Sequence, residues 1–180
     1  MIDQDLFRRT MGQFLTGVTI VAALDPAAGQ VHGMTASAFL SVSLEPPLIL
    51  VSIGGATRTH QVLQRAGRFG VSILRAGQEP LALRMAGKPV TAAGFQFADL
   101  GAGPVLADCL ASVSADITSV TPAGDHTLFV GRATRLNAGS AGQPPLAYQR
   151  GRFITAGAPT GDWPVSLADA WAGSLRSGWG

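Results

Sequence analysis

Charged side chains are what this chain has least of. Asp, Glu, Lys and Arg make up 13% of its 180 residues, about half the usual share in a soluble domain. The only lysine is Lys88, and the arginines are scattered. No patch is basic enough to release the many counterions that nucleic-acid binding requires, so nucleic acid is not an expected partner. So bare a surface also points to partial cover by a second subunit. Cysteine is nearly absent. Cys109 stands alone in an apolar run; it cannot close an internal disulfide and reads as a buried thiol in a reducing, cytoplasmic setting.

Further absences exclude whole chemistries. His32, His60 and His126 are isolated, with neither an H-E-x-x-H motif nor paired cysteines beside them, so no metal centre is expected. No window approaches 18 unbroken apolar residues, which argues against a membrane span. Residues 1–9 carry Asp3, Asp5, Arg8 and Arg9 and do not read as a secretory leader. No G-x-G-x-x-G follows a strand, and neither a P-loop nor a G-x-S-x-G elbow occurs. A bound nucleotide would therefore sit outside the dinucleotide-binding and P-loop folds.

What is present is a chain that is 47% hydrophobic, long enough for one domain with a sizeable core. Leu6, Phe7, Met11 and Phe14 share one face of a helix predicted over residues 5–14. Residues 18–24 form a β-branched strand, 25–29 a turn, and the segment from Val31 returns antiparallel. Residues 48–53 are a continuously apolar strand broken by Gly54-Gly55. Short helices are predicted over 59–66 and 79–86, and strands over 69–74, 110–120 and 127–136. Neither face of the last is clearly wet. Residues 92–104 read as loop, and Pro144-Pro145 opens a turn before 146–154. Many short strands with few helices favour a small β-barrel over a doubly wound sheet. Residues 1–155 form the domain; 156–180, with Trp163, Trp171 and Trp179, form a tail of different composition.

The richest stretch is residues 33–48, Gly-Met-Thr-Ala-Ser-Ala-Phe-Leu-Ser-Val-Ser-Leu-Glu-Pro-Pro-Leu. Small residues let backbone approach a flat ligand, and hydroxyls and N–H groups can bond its edge. Read as a charge-poor loop, it suits a large planar cofactor. It reads equally as a small-residue turn joining two core strands.

Five blocks in order carry a resemblance: residues 7–19 (FRRTMGQFLTGVT), 33–48, Thr59-His60 with 67–74 (GRFGVSIL), 124–131 (GDHTLFVG) and 145–153 (PLAYQRGRF). Together they resemble the flavin reductase-like family, whose fold is the FMN-binding split β-barrel, mainly β with short flanking helices. Its members accompany two-component flavin monooxygenases. The resemblance implies a homodimer that reduces FMN or FAD with NADH or NADPH and passes reduced flavin to a separate flavin-dependent monooxygenase. It implies that Thr35, Ala36 and Ser37 contact the flavin ring. It also implies that Ser52 and the loop through Ala56, Thr57, Arg58 and Thr59 hold the flavin phosphate. Arg58 suits that task by its fork of donors, with Thr57 and Thr59 adding hydroxyls. Gly54-Gly55-Ala56 departs from the commoner Asn, Arg or Ser of the family, which implies a looser grip on the phosphate. His126 is implied at the nicotinamide site, with Asp125 orienting it or holding the turn. Arg152 meets either a cofactor phosphate or an interface carboxylate.

The chemistry so implied belongs mainly to the cofactors: hydride moves from nicotinamide C4 to flavin N5, and the protein supplies placement and electrostatics. Two other readings use the same motifs. One is reduction of a different acceptor, such as a corrinoid or quinone-like compound. The other is non-catalytic flavin binding.

Overall fold

The structure is a computed structural model that describes residues 2–92, 94–99, 101–139 and 142–157. The three tryptophans of the C-terminal tail lie outside the described residues. In chain order the elements are helix α1 (Gln4–Met11), strands β1 (Thr16–Gly17), β2 (Thr19–Asp25), β3 (Gln30–Ala36), β4 (Phe39–Leu44) and β5 (Pro47–Gly54), and helix α2 (Arg58–Ala66). Strand β6 (Arg68–Ile73), helix α3 (Glu79–Met85), and strands β7 (Phe97–Ala98), β8 (Val105–Leu106), β9 (Ala111–Ala123), β10 (His126–Asn137), β11 (Leu146–Gln149) and β12 (Arg152–Thr155) follow.

Seven strands make one antiparallel sheet in the order β3-β2-β6-β9-β10-β5-β4. Its two edge strands, β3 and β4, are consecutive in the chain and separated only by Ser37-Ala38. The Ser52 N–H donates to the Ala38 carbonyl at 3.1 Å, which carries the β4–β5 ladder up to that link; β3 and β4 meet there through the chain but do not pair. That is a barrel with a split, mainly β with short flanking helices, as the sequence indicated. A smaller sheet, β1-β11-β12, stands beside it.

Side-chain alternation decides what lies inside. On β5, Ile49, Val51 and Ile53 are buried while Leu48, Leu50 and Ser52 turn to the other face. Those inward residues join Val21, Phe69, Val71, Val113 and Phe129 in the barrel core. Helix α2 adds Val62 and Leu63 to the same core. Thr57 caps its start by accepting the His60 N–H, and Gly67 ends it in the left-handed region at φ 67°, a conformation that glycine adopts without a Cβ penalty. Arg65 ties the helix to the end of β2 through Asp25 at 3.1 Å. Asp25 is buried and also accepts the Ala27 N–H. That backbone bond, with Arg65, holds its carboxyl below the ordinary carboxylate value. A second core, including Val18, Ile20, Leu74, Leu81 and Leu146, packs between the sheet and α3.

The structure corrects four expectations. Residues 33–48 are not a loop: β3 and β4 run through them, because Met34, Phe39 and Val42 have strand character and both edges find ladder partners. Residues 92–104 contain β7, which pairs with β8 while Phe95 and Phe97 pack on the second core. Helix α1 stops at Met11, and none of its residues is buried; Leu6, Phe7 and Met11 stay exposed, as does Phe14 beyond it. Cys109 is only half-buried, with its Sγ within reach of the Leu106 and Ala111 carbonyls. Desolvation raises its pKa, which disfavours the reactive thiolate.

Candidate active site

A cleft of about 320 Å³ opens where β3 leaves the barrel. Thr35, Ala36 and Ser37 form one wall, and Leu83, Ala86 and Lys88 from α3 and its exit form another. Tyr148, Gly151 and Phe153 close it from the β11–β12 hairpin, and Val18 lies at its base. The wall is held firmly. The Thr35 hydroxyl donates to the Ala82 carbonyl at 2.6 Å, fastening β3 to α3, and the Thr19 hydroxyl donates to the Ala36 carbonyl at 2.8 Å. The Tyr148 and Phe153 rings meet at 5.4 Å and 59°, a tilted pair that stiffens the opposite wall.

The three residues predicted to touch the flavin ring thus share one cleft. The Thr35 proton is already used, which leaves its oxygen as an acceptor. Ser37 is exposed and has a hydroxyl to offer. Lys88, the chain's only lysine, stands exposed at the rim. Lys88, Tyr148, Gly151 and Phe153 also line the cleft, though nothing in the sequence singles them out. The last three lie within the block 145–153, where the resemblance points to Arg152 instead. Arg152 is exposed on β12, facing away from its cleft-lining neighbours Gly151 and Phe153.

A second group gathers at the end of the sheet. The β5–α2 turn and the β9–β10 turn meet there: His126 pairs with Gly54 across the ladder, and the Gly55 N–H donates to the Asp125 carbonyl at 3.0 Å. A Cβ at Gly54 would meet the Thr57 Cγ2 at 3.4 Å and the His126 Nε2 at 3.8 Å, ordinary contact distances that place the two turns side by side. His126 is half exposed, and its Nδ1 lies 2.8 Å from the Asp125 carboxylate. Hydrogen bonding to His126 lowers the pKa of Asp125. The pair fixes the ring with Nε2 directed away from Asp125.

The residues expected at the flavin phosphate fare differently from one another. Arg58 is exposed at the first position of α2, beside the exposed Ala56. The Thr57 hydroxyl already donates to the Gly54 carbonyl at 2.8 Å while capping α2. Thr59 is fully buried. What this turn presents to an anion is therefore the Arg58 guanidinium and the positive end of α2. Ser52 connects the two groups, since its N–H bonds Ala38 beside the cleft and its strand leads into Gly54-Gly55.

His60 belongs to the Thr59-His60 block, at the start of α2. Its Nε2 is 2.9 Å from the Thr127 hydroxyl, and its ring meets Phe129 edge-on at 5.5 Å. It braces the start of α2 against the strand that carries His126. Among the described residues no cluster of metal-ligating side chains occurs. No helix among them is long and apolar enough to cross a membrane.

The donor set fits a flavin: an apolar slot with hydroxyls at its edge, and a cationic turn reached along Ser52. Comparisons with known proteins bear on the chain as a whole. The family model described as flavin reductase like domain matches residues 11–157. An NADH-dependent flavin reductase of Rhodococcus is 39% identical over 81% of this chain and 82% of its own. The NADH:riboflavin 5'-phosphate oxidoreductase of Streptomyces pristinaespiralis is 40% identical over 83% of this chain and 86% of its own. Among solved structures, the flavin reductase PheA2 superposes with a TM-score of 0.80 at 39% identity, covering 87% of this chain and all of that one. The NADH:FAD oxidoreductase SgcE6 of Streptomyces globisporus, in complex with NAD and FAD fragments, gives 0.77 at 32% identity over 89% and 96% of the two chains. With a family model spanning most of its length and relatives at this identity, the chain belongs to the flavin reductase-like family.

Proposed function

We propose that the Thr35–Ser37 cleft is where a flavin ring and a nicotinamide ring are stacked, in an NAD(P)H-dependent flavin reductase that supplies reduced flavin to a separate monooxygenase. The observation that carries the reading is the cleft itself, an apolar slot walled by Thr35, Ala36 and Ser37 on one side and Tyr148 and Phe153 on the other. When bound, the flavin provides N5 as acceptor for the hydride carried at nicotinamide C4.

The chain's own residues place and polarise. Ala36 and Ser37 allow close approach of a flat ring, and the Ser37 hydroxyl and Lys88 ammonium offer donors for negative charge developing at its edge. Arg58 and the first turn of α2 hold the phosphate. His126, fixed by Asp125, bonds the carboxamide of the nicotinamide through Nε2 and so sets its angle over the flavin. No side chain acts as a nucleophile.

The working unit is a homodimer in the cytoplasm. Support for the dimer comes from apolar side chains left exposed in one chain: Leu6, Phe7 and Met11 on α1, and Leu40, Val42 and Leu44 on the edge strand β4. Reduced pyridine nucleotide and a separate oxygenase to receive the product both suit that compartment. Steady-state oxidation of NADH and NADPH with free FMN or FAD tests the reading. Rapid loss of reduced nicotinamide with free flavin alone supports it. Oxidation that requires some other added acceptor argues against it.

A further inference from the structure

A second cleft, of about 390 Å³, is lined by Arg8, Arg9, Gly12, Gln13, Arg150 and Gly151. Gly151 also lines the Thr35–Ser37 cleft, so the two are neighbours across one hairpin turn. Three of this chain's few cations converge here. Arg8 is paired with Asp5 at 3.2 Å on the exposed face of α1. Among the described residues, Arg9 and Arg150 form no ion pair.

The geometry around Arg150 is specific. Arg150 and Gly151 both have positive φ, 49° and 77°, the signature of a type I′ hairpin turn, whose first position favours Asn, Asp or Gly. An arginine there holds a conformation that costs free energy. Three bonds sustain it. The Arg150 N–H donates to the Gly12 carbonyl at 2.9 Å, the Arg150 Nε donates to the Gln13 Oε1 at 2.7 Å, and the Gln149 amide donates to the Gln13 carbonyl at 2.7 Å. The guanidinium is thus anchored through Nε to a neutral group, and its terminal nitrogens keep their donors. The negative groups nearby are the last carbonyls of α1 and the Asp5 carboxylate, which Arg8 already pairs.

We propose that this arginine-lined cleft binds the diphosphate and adenylate half of the nicotinamide donor, whose reactive half occupies the Thr35–Ser37 cleft while the Arg58 turn takes the flavin phosphate. The proposal rests on the reading of that first cleft as the flavin and nicotinamide site. Guanidinium forks match phosphate oxygens in bidentate fashion. NAD(P)H carries this chemistry, whereas reduced nicotinamide mononucleotide lacks it.

The test uses ADP as the probe, titrated calorimetrically into the full-length, flavin-free protein and into the double variant R9Q/R150Q. ADP affinity is expected to fall about tenfold in the variant, and to weaken with rising salt in the parent. The charge-retaining R9K/R150K pair, with an unchanged melting curve, is expected to keep more of the affinity than R9Q/R150Q. The preference for NADH over reduced nicotinamide mononucleotide is expected to fall in R9Q/R150Q, whereas a drop in FAD affinity relative to FMN with that preference unchanged overturns the assignment to the donor. Absence of ADP binding by the parent, or equal ADP affinity in parent and R9Q/R150Q, overturns the proposal. FMN reduction by the parent, recorded on the same preparation, reports separately on the reductase reading.

Discussion

At the scale of single residues, the two ends of the site make separable demands. Arg58 is exposed at the first position of α2, so truncating it leaves the fold intact and removes a donor fork. Arg58→Ala is expected to weaken FMN binding by about 1.5–3 kcal/mol, the range for a charge-assisted bond. Riboflavin, which has no phosphate, is expected to lose far less. Equal losses for the two ligands in a fluorescence titration would remove Arg58 from the phosphate. His126 answers to the other ligand. His126→Ala is expected to raise the KM for reduced nicotinamide and slow reduction at fixed donor, with flavin affinity held within a few fold. Unaltered kinetics across all donor concentrations would dismiss that role.

His32 carries a pH dependence of stability. Its pKa is lowered, first by burial and then by the nearby Arg58 charge, with Asp25 opposing. The folded state therefore resists protonation more than the unfolded chain does. Stability from this residue is complete above the unfolded value near 6.5 and is lost as pH falls from there toward the lowered folded value. His32→Gln is expected to flatten the slope of unfolding free energy against pH in that window, measured by urea denaturation. An identical slope in variant and parent would count against it.

Residue roles were legible unevenly. Thr35, Ala36 and Ser37 line one cleft; their small and hydroxyl side chains left a core turn equally open, and only the resemblance pointed to a ligand wall. Thr57 and Thr59 were given hydroxyls to donate, yet one caps α2 and the other is buried. Helical phase places adjacent threonines on different faces, and a single run of residues does not reveal which hydroxyl the cap consumes.

At the scale of elements, β10 shows how tightly the barrel is filled. Gly131 lies where β10 crosses Phe69, and a Cβ there would sit 2.7 Å from Phe69 Cε1 and 2.9 Å from the Ala115 Cβ. Both neighbours are wholly buried. Gly131→Ala is expected to destabilise the fold by about 1–3 kcal/mol through overpacking. An unchanged midpoint in guanidinium unfolding would mean that the core yields where this account says it cannot.

Strand and helix positions were largely legible from β-branched runs and glycine breaks, and most boundaries fell within a few residues. The start of β3 was legible as the antiparallel return from Val31, and it pairs with β2. The exceptions were β4, whose apolar residues alternate with Ser41 and Ser43 and which its pairing with β5 makes a strand, and the two-residue β7 within 92–104. Helix α1 was legible as amphipathic, but the sequence did not say what its apolar face meets. In the single chain it meets solvent.

At the scale of the whole molecule, the low-charge surface, the apolar edge strand β4 and the apolar face of α1 are what the proposed dimer would cover. Sedimentation at micromolar concentration is expected to give twice the mass of one chain, and the mass of a single chain would remove the dimer from the account. The family assignment was legible because five short blocks occur in order, and the matched region, residues 11–157, spans them nearly end to end. Choice of flavin and donor was not legible, since it depends on how the clefts are filled and on contacts beyond the small residues of 33–48. The central claim is that this protein moves hydride from a reduced nicotinamide to a flavin. Anaerobic stopped-flow absorbance tests it most directly, with NADH and NADPH in turn against FMN and FAD in turn. The account predicts bleaching of the oxidised-flavin band, at a rate that rises with protein and saturates with donor, for at least one pair. No protein-dependent bleaching with any of the four pairs would contradict it.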